Sequence, residues 1–326
     1  MRLRTDAAPD CIFVRGAPGI LPVLVLSRFS IGFARMSLLR HALVGLDGSP
    51  ASEAALTTAL HLVQPGLGRA TGCYVEDEAL RRAAALDTTR TIQAGRATAM
   101  PLSTRYVKRA FQEMSDYVRW RLNELAHAYN VDAEMQTATG HVAASLRTQA
   151  QRSDLIAVGS QGLSTHGGTR LGSTTNALID EAERSLLIAP PQQYGLNHLT
   201  LYYTDTPETE AALHWAVYAS YALHVERIQV LIPAPDDDTY RARRAALRAT
   251  RPPADTLWHP MRCTPLEASH PGTVLQRAVD GLVVAPMPFL RRAIAHRAAF
   301  LHELDQPLLL AMAPPERRPT LQAPSF

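Results

Sequence analysis

The sequence has few of the residues that mark a disulfide-rich, zinc-binding or membrane-spanning protein. It contains three cysteines, Cys11, Cys73 and Cys263, which are scattered and show no CxxC spacing. They argue against a disulfide framework and a structural zinc site and are typical of a reducing compartment, so we expect a cytoplasmic protein. No run of about 18 apolar residues occurs, which argues against a membrane-spanning helix. The net charge is only +3 and no basic block stands out, so nucleic acid is not expected as a partner.

The composition is that of a globular chain long enough for two domains. The chain has 326 residues, 46% of them hydrophobic and 19% charged. Its first part contains an apolar run, 20–26, that starts late for a signal peptide and precedes no good cleavage site. We predict that 1–35 is an unstructured leader or a start-site artefact. The predicted division is then 36–191 and 192–316 as domains, with 317–326 as a tail.

Short apolar runs alternate with helical patterns along the first domain. The predicted strands are 42–46, 70–75, 133–139, 154–159 and 185–189, and the longest predicted helix is 105–129. Residues 79–103 are polar, alanine-rich and weakly patterned, which predicts a mobile connection. Strand–helix alternation predicts a parallel sheet with helices on both faces. Ligands bind to such sheets beyond the carboxyl ends of the strands.

A glycine pattern after the fourth predicted strand is the clearest functional signal. Gly159, Gly162, Gly172 and Ser173 follow the spacing G-x2-G-x9-G-S and precede a predicted helix. Glycine allows close approach of the backbone, and a helix N-terminus offers free N–H groups to an anion. The pattern therefore predicts a phosphate-binding loop. Asp47, after the first strand, is expected to face the same crevice.

The second domain repeats the first without this loop. Ser49–Leu56 (SPASEAAL) is echoed by Thr206–Leu213 (TPETEAAL). The later predicted strands are 199–203, 227–232, 255–259, 281–285 and 307–311. Where the first domain has Gly159–Gly162, the second has 285–288 (APMP), and 289–300 contains no glycine. Prolines remove N–H donors, so we predict one working site in two copies of the fold.

With these motifs the chain resembles the universal stress protein family. VGLDGSPASEAAL (44–56) is similar to the family's first strand and acidic turn, and GSQGLSTHGGTRLGST (159–174) to its nucleotide loop. The resemblance covers 38–191 well and 196–315 in degenerate form. It implies a tandem of two open, mainly parallel five-stranded Rossmann-like α/β domains. The glycine-motif branch of the family binds ATP, so the resemblance implies ATP or a related adenine nucleotide, with Mg left open.

The resemblance also implies roles for single residues. Asp47 would contact the ribose–adenine side, and Val75 the adenine through its backbone. The residues implied for the phosphates are Gly159, Gly162, Gly172, Ser173 and Thr174, with Gln161 at a variable loop position. The family commonly dimerises through its last strand, so 186–189 and 308–311 could pair within this chain. Further homodimerisation is left open.

Three functions remain from the sequence. The favoured one is a stress-response module that binds an adenine nucleotide and regulates a partner or dimer state without turnover. The second is a slow ATP hydrolase or an enzyme phosphorylated on Ser173 or Thr174, and the third is a nucleotide-free scaffold. No general base is evident and no residue is assigned to catalysis, because a loop histidine such as His166 is more often simply solvated. Metal ligands are not defined by the sequence.

Overall fold

The structure is a computed structural model that describes residues 39–63, 66–86, 89–92, 99–162, 173–192, 195–204, 206–225, 227–250, 258–263, 277–291, 300 and 304–313. The predicted leader 1–35, the tail 317–326, His166 and Gly172 lie outside the described residues. In those ranges, no helix combines the length and apolar character that crossing a membrane requires.

Twelve strands and eight helices are described within these ranges. The strands are β1 (His41–Gly45), β2 (Arg69–Asp77), β3 (Arg90–Ile92), β4 (Ala99–Pro101), β5 (Asp132–Gly140), β6 (Leu155–Gly159), β7 (Ser185–Ala189), β8 (Leu199–Tyr202), β9 (Ile228–Pro233), β10 (Trp258–Cys263), β11 (Leu282–Pro286) and β12 (Leu308–Ala311). The helices are α1 (Pro50–Leu62), α2 (Glu78–Ala84), α3 (Thr104–Tyr129), α4 (Val142–Gln149), α5 (Ser173–Glu181), α6 (Pro207–Ala222), α7 (Asp237–Thr250) and α8 (Pro288–Arg291). A short 3-10 turn, Ala150–Arg152, follows α4.

Ten of the strands form one open sheet in the order β10-β9-β8-β11-β12-β7-β6-β1-β2-β5. Neighbouring strands are parallel except at the contact between β12 and β7, which is antiparallel. Five strands lie on each side of that contact. When each set is numbered along the chain, its order in the sheet is third, second, first, fourth, fifth, with the fifth strand at the contact. The predicted open, mainly parallel α/β fold is confirmed.

Helices cover both faces of the sheet. α1 packs against α3 and the strands β1, β6 and β7, whereas α4 and α5 pack together on the other face. There Leu43 and Ile156 join Leu146 of α4 and Ile179 of α5 in one buried cluster. β1 is buried along almost its whole length because it is a central strand with a helix on each side.

The segment 79–103 is more ordered than the sequence suggested. Glu78–Ala84 forms α2, whose first turn is capped by the Asp77 carboxylate accepting from the Ala79 N–H at 2.8 Å. Beyond it, β3 and β4 pair as a small antiparallel sheet. The prediction of a mobile connection was therefore wrong for these elements. α2 is only seven residues long, and alanine-rich sequence of that length carries no clear helical period.

β10 also differs from its predicted range of 255–259. The strand begins at Trp258 and continues through Pro260 to Cys263. Proline cannot donate a ladder hydrogen bond and is therefore rare in central strands. Because β10 lies at the edge of the sheet, one of its sides has no neighbouring strand in the order above, and proline is tolerated there.

The contact between β7 and β12 joins the two sets of five strands, and we call it the junction. Leu187 stands opposite Leu309, and both side chains are fully buried. The Ser185 hydroxyl accepts from the Trp215 indole N–H at 2.8 Å and from the Met312 N–H at 3.1 Å. One hydrophobic cluster extends through the junction, from Leu43 of β1 to Leu231 of β9.

Candidate functional site

A crevice opens at the carboxyl ends of β6, β1 and β2, which are neighbours in the sheet. In the sheet, β2 and β5 lie on one side of β1, whereas β6 and β7 lie on its other side. Ligands of open α/β sheets bind where the strand order reverses in this way. The crevice has a volume of about 240 Å³.

Most of the residues predicted for the site line this crevice. They are Asp47, Val75, Gly159, Gln161, Gly162, Ser173 and Thr174. The remaining one, Gly172, lies outside the described residues. The fold thus brings together three segments that are far apart in the sequence: the turn after β1, the end of β2, and the loop and helix after β6.

The turn after β1 is held by its own polar side chains. The Asp47 carboxylate accepts from the Ser49 N–H at 2.9 Å, and the Ser49 hydroxyl oxygen accepts from the Ser52 N–H at 3.1 Å. Ser49 is the N-cap of α1, and Pro50 follows at the first helical position, where it loses no hydrogen bond. These contacts fix the Asp47 backbone at the start of α1.

Gly48 is required by its conformation and by its surroundings. Its φ is +79°, in the left-handed region that favours glycine. A Cβ atom there would come within 2.4 Å of the Met114 sulfur in α3. The turn therefore lies directly against the long helix.

The turn after β1 meets the glycine loop across the crevice. The Ser49 hydroxyl donates to the Gln161 carbonyl at 3.3 Å. A Cβ atom on Gly162 would lie 3.0 Å from Oδ2 of Asp47, which is closer than almost all real contacts of this kind. Glycine at 162 therefore lets the loop approach the acidic turn.

Gly159 has a structural reason of its own. A Cβ atom there would lie 2.7 Å from the Ala51 Cβ and 2.8 Å from the Ser52 nitrogen, in the first turn of α1. The carbonyl of Gly159 accepts from the Thr175 hydroxyl at 2.8 Å. Glycine at 159 thus allows α1 to pack on the end of β6, and the Gly159 carbonyl holds the first turn of α5 there.

α5 begins at the crevice with three hydroxyl residues. Ser173 is exposed, Thr174 is half-buried and Thr175 is buried. The first N–H groups of a helix have no partner within the helix, and its dipole places partial positive charge at that end. The arrangement suits an anion, and a phosphate group in particular.

Several crevice residues were not predicted from the sequence. They are Ser52, Cys73, Asp77, His141 and Val142. Asp77 and His141 stand at the ends of neighbouring strands, β2 and β5, and each precedes a helix. A search for polar residues at strand ends could have found both. Cys73 points from the interior of a buried strand and gives no such signal.

Burial controls the acidity of two side chains of β2, of which Cys73 lines the crevice. It raises the pKa of the Cys73 thiol to about 11. Burial also raises the pKa of Tyr74 to about 12, assisted by the negative charges of Glu76 and Asp47. Both side chains are therefore neutral at physiological pH. Among the residues that the structure describes, no three His, Cys, Asp or Glu side chains are grouped as a metal site.

The corresponding place beside β8 and β11 contains aromatic rings. Tyr202, the last residue of β8, is buried and packs on Phe289 with 4.7 Å between ring centroids. Phe289 in turn packs on Phe300 at 6.2 Å. Met287, in the segment that replaces the glycine loop, is fully buried. These side chains lie at the carboxyl ends of β8 and β11. In the second half of the sheet (β8–β12) these strands correspond to β1 and β6 of the first half (β1, β2, β5, β6 and β7), which border the crevice.

An open, mainly parallel α/β sheet with a crevice at the reversal of its strand order defines the class of ligand-binding Rossmann-like proteins. The family profile described as "Universal stress protein family" matches residues 39–190. Residues 39–190 of the chain therefore belong to the universal stress protein family.

Solved structures show the same fold. A universal stress protein from Archaeoglobus fulgidus superposes with a TM-score of 0.58 at 12% identity, covering 83% of this chain and 96% of its own. A protein of unknown function from Pseudomonas aeruginosa superposes with a TM-score of 0.50 at 12% identity, covering 86% and 94%. A universal stress protein solved in complex with cAMP has a TM-score of 0.34 at 21% identity, covering 48% and 100%. No curated protein matches the chain.

Proposed function

We propose that this protein binds an adenine nucleotide, with ATP as the first candidate, in the crevice between β6, β1 and β2. The observation that carries the proposal is the meeting of the Asp47 turn, the Gly162 loop and the α5 N-terminus around one cavity. Each segment supplies a different kind of contact: a carboxylate, exposed backbone and a helix start with hydroxyl groups. A nucleotide has matching parts in its ribose hydroxyls and its phosphates.

The phosphates would lie at the glycine loop and α5. Helix N–H groups and the hydroxyls of Ser173 and Thr174 would donate to phosphate oxygens. Gly172 completes this set by the family pattern. At the other end, the backbone of Val75 would contact the adenine and Asp47 the ribose. A Mg ion would accompany the phosphates, and carboxylates such as those of Asp47 and Asp77 have the oxygen chemistry that it prefers.

The protein would act by binding and not by turnover. Nucleotide occupancy would shift the population of states that a partner or a second copy of the chain recognises. The scattered cysteines favour a cytoplasmic setting. In this proposal residues 36–191 form the nucleotide-binding domain and 192–316 a second, degenerate domain, paired with the first through β7 and β12 as a pseudo-dimer.

A slow ATP hydrolase is the second candidate. The observation in its favour is that His141 and Asp77 line the same crevice. A neutral imidazole can accept a proton from an attacking water, and a carboxylate can orient it. The same test separates this candidate from simple binding.

The test uses the purified full-length chain with labelled ATP in equilibrium dialysis, followed by separation of ATP from ADP. The test variant is Gly162→Val, which places a side chain against Asp47. The matched control is Gly195→Ala, because the nearest atom to its Cβ is Asn197 Nδ2 at an ordinary 3.4 Å. Circular dichroism checks that both variants fold.

We expect ATP to be retained without turnover by the wild type and by Gly195→Ala, and to be lost in Gly162→Val. ATP at 100 times its Kd should also stabilise the wild type by about 2.7 kcal/mol. ADP formation that disappears in Gly162→Val would favour the hydrolase. Absence of ATP from folded wild type would contradict nucleotide binding and leave the scaffold.

A further inference from the structure

Two of the helices that begin at the crevice, α1 and α5, end against the second half of the sheet. α1 starts beside Asp47 and ends at Leu62, and α5 starts at Ser173 and ends at Glu181. The last four carbonyls of a helix have no partner within it. What satisfies those carbonyls fixes where the helix lies, and therefore where its N-terminus lies in the crevice.

The end of α5 is held by an arginine from α8. The Arg291 guanidinium donates from Nε to the Ile179 carbonyl and from Nη2 to the Ala182 carbonyl, both at 2.7 Å. A cation at this end of a helix also complements its dipole. Arg291 thus satisfies the end of α5 by hydrogen bonding and by charge.

The residues before Arg291 pack against the same helix. Met287 and Leu290 are fully buried and belong to the cluster that contains Leu178 and Ile179 of α5. This segment stands where the first half has its glycine loop. In the second half this segment packs against α5, the helix that follows the glycine loop of the first half.

The end of α1 is held in a similar way. The Tyr218 hydroxyl, from α6, donates to the Leu62 carbonyl at 2.6 Å. Tyr218 is buried, and burial raises the pKa of its phenol, so the group keeps the proton that it donates. Both α1 and α5 are therefore held at their far ends by side chains of the second half.

We propose that Arg291 is a positioning residue for the nucleotide crevice: by holding the C-terminal end of α5, it places the N-terminal end where the phosphates bind. Tyr218 has the equivalent role for α1. The second half thereby serves the site of the first half instead of forming a site of its own. This inference rests on the proposed function, since ATP is its ligand.

Binding and positioning must then be coupled in both directions. If Arg291 improves the affinity for ATP through α5, bound ATP must strengthen the contact between α5 and Arg291 by the same factor. The amide hydrogens of residues 287 and 289–291 should exchange more slowly with ATP bound, although these residues do not line the crevice.

The experiment compares Arg291→Met, Arg291→Lys and Arg241→Met in the full-length protein. Met keeps an unbranched stem for packing and removes the donors and the charge, whereas Lys restores the charge and one donating group. Arg241 is the control because it is an exposed arginine of the second half, whose Nη1 lies 3.4 Å from the exposed Asp238 carboxylate. The measurements are the Kd for ATP, well below the unfolding temperature, and hydrogen exchange with and without ATP.

We expect Arg291→Met to raise the Kd for ATP about threefold or more. The free energy that a cation contributes at a helix C-terminus corresponds to a change in Kd of this size. Exchange in α5 should become faster while exchange in β2 is unchanged. Arg291→Lys should fall between Arg291→Met and the wild type, and Arg241→Met should match the wild type.

An unchanged Kd and unchanged exchange in α5 for Arg291→Met would overturn the inference. Faster exchange in α5 and β2 alike would also overturn it, because Arg291 would then contribute only to global stability. Wild type that does not bind ATP would refute the proposed function separately. In that case, unchanged hydrogen exchange in α5 of Arg291→Met would overturn the positioning role as well. Faster exchange confined to α5 would support the role of Arg291 in positioning α5, with a ligand other than ATP in the crevice.

Discussion

Replacing Gly159 with alanine should destabilise the protein through the first turn of α1. The new Cβ would lie 2.7 Å from the Ala51 Cβ and 2.8 Å from both the Ala51 carbonyl carbon and the Ser52 nitrogen. Carbon atoms in good contact are about 3.5–4.0 Å apart, so the groups must separate by roughly 1 Å. Two of the three atoms are backbone, and Ser49 caps that turn, so no side-chain rotation relieves the clash.

The cost is that of overpacking a tight interior. Such changes typically destabilise by about 1–3 kcal/mol. With a urea dependence of about 2–3 kcal/mol per molar, a loss of about 2 kcal/mol lowers the midpoint of urea unfolding by roughly 0.7–1 M. The assay is urea unfolding followed by circular dichroism and by tryptophan fluorescence.

Gly195→Ala is the matched control for this measurement. Gly195 is exposed and its Cβ would make only an ordinary contact, so the free energy of unfolding of Gly195→Ala should stay within about 0.5 kcal/mol of the wild type or rise slightly. A Gly159→Ala midpoint equal to that of the control would refute the packing of α1 on the end of β6.

Two further predictions concern the base of the crevice and the junction. Because burial raises the pKa of Cys73 to about 11, its stabilising contribution should be complete below pH 9 and be lost as the pH rises towards 11. Urea unfolding at pH 8 and pH 10.5 should show a smaller loss of stability for Cys73→Ala than for the wild type, and equal losses would contradict this. At the junction, Ser185→Ala removes the acceptor of the Trp215 and Met312 N–H groups, so we expect a loss of about 2–3 kcal/mol in urea unfolding. A loss below about 0.5 kcal/mol would show that water satisfies these donors.

Much of the fold could be predicted because its signals are local. β7 has the predicted bounds, Ser185–Ala189, and β1 and β6 differ from prediction by about one residue. A fully buried strand in a parallel sheet is a continuous apolar run bounded by turn residues, and both marks are visible in sequence.

The elements that were missed depend on contacts that the local pattern does not contain. α2 is held by the Asp77 cap, and Pro260 is tolerated in β10 because, among the described strands, only β9 pairs with it. Asp77 and His141 lie in the crevice because β2 and β5 pair in register, Asp77 with Gly140. Arg291 could not be assigned a role from sequence, since its partners are backbone carbonyls more than 100 residues away.

The candidate site was predictable for a different reason. The glycine spacing and the acidic turn indicate where the backbone must approach closely. This signal comes from the residue types and does not depend on a hydrophobic period. That Gly162 faces Asp47, and that Gly159 faces α1, are details that only the packing defines.

The junction has a consequence for how the molecule behaves on dilution. β7 and β12 belong to the same chain and present buried leucines to each other, so their pairing is an intramolecular event. The strength of this pairing therefore does not depend on protein concentration. Each molecule therefore has one open crevice and one aromatic-filled counterpart, and this ratio is the same at every protein concentration.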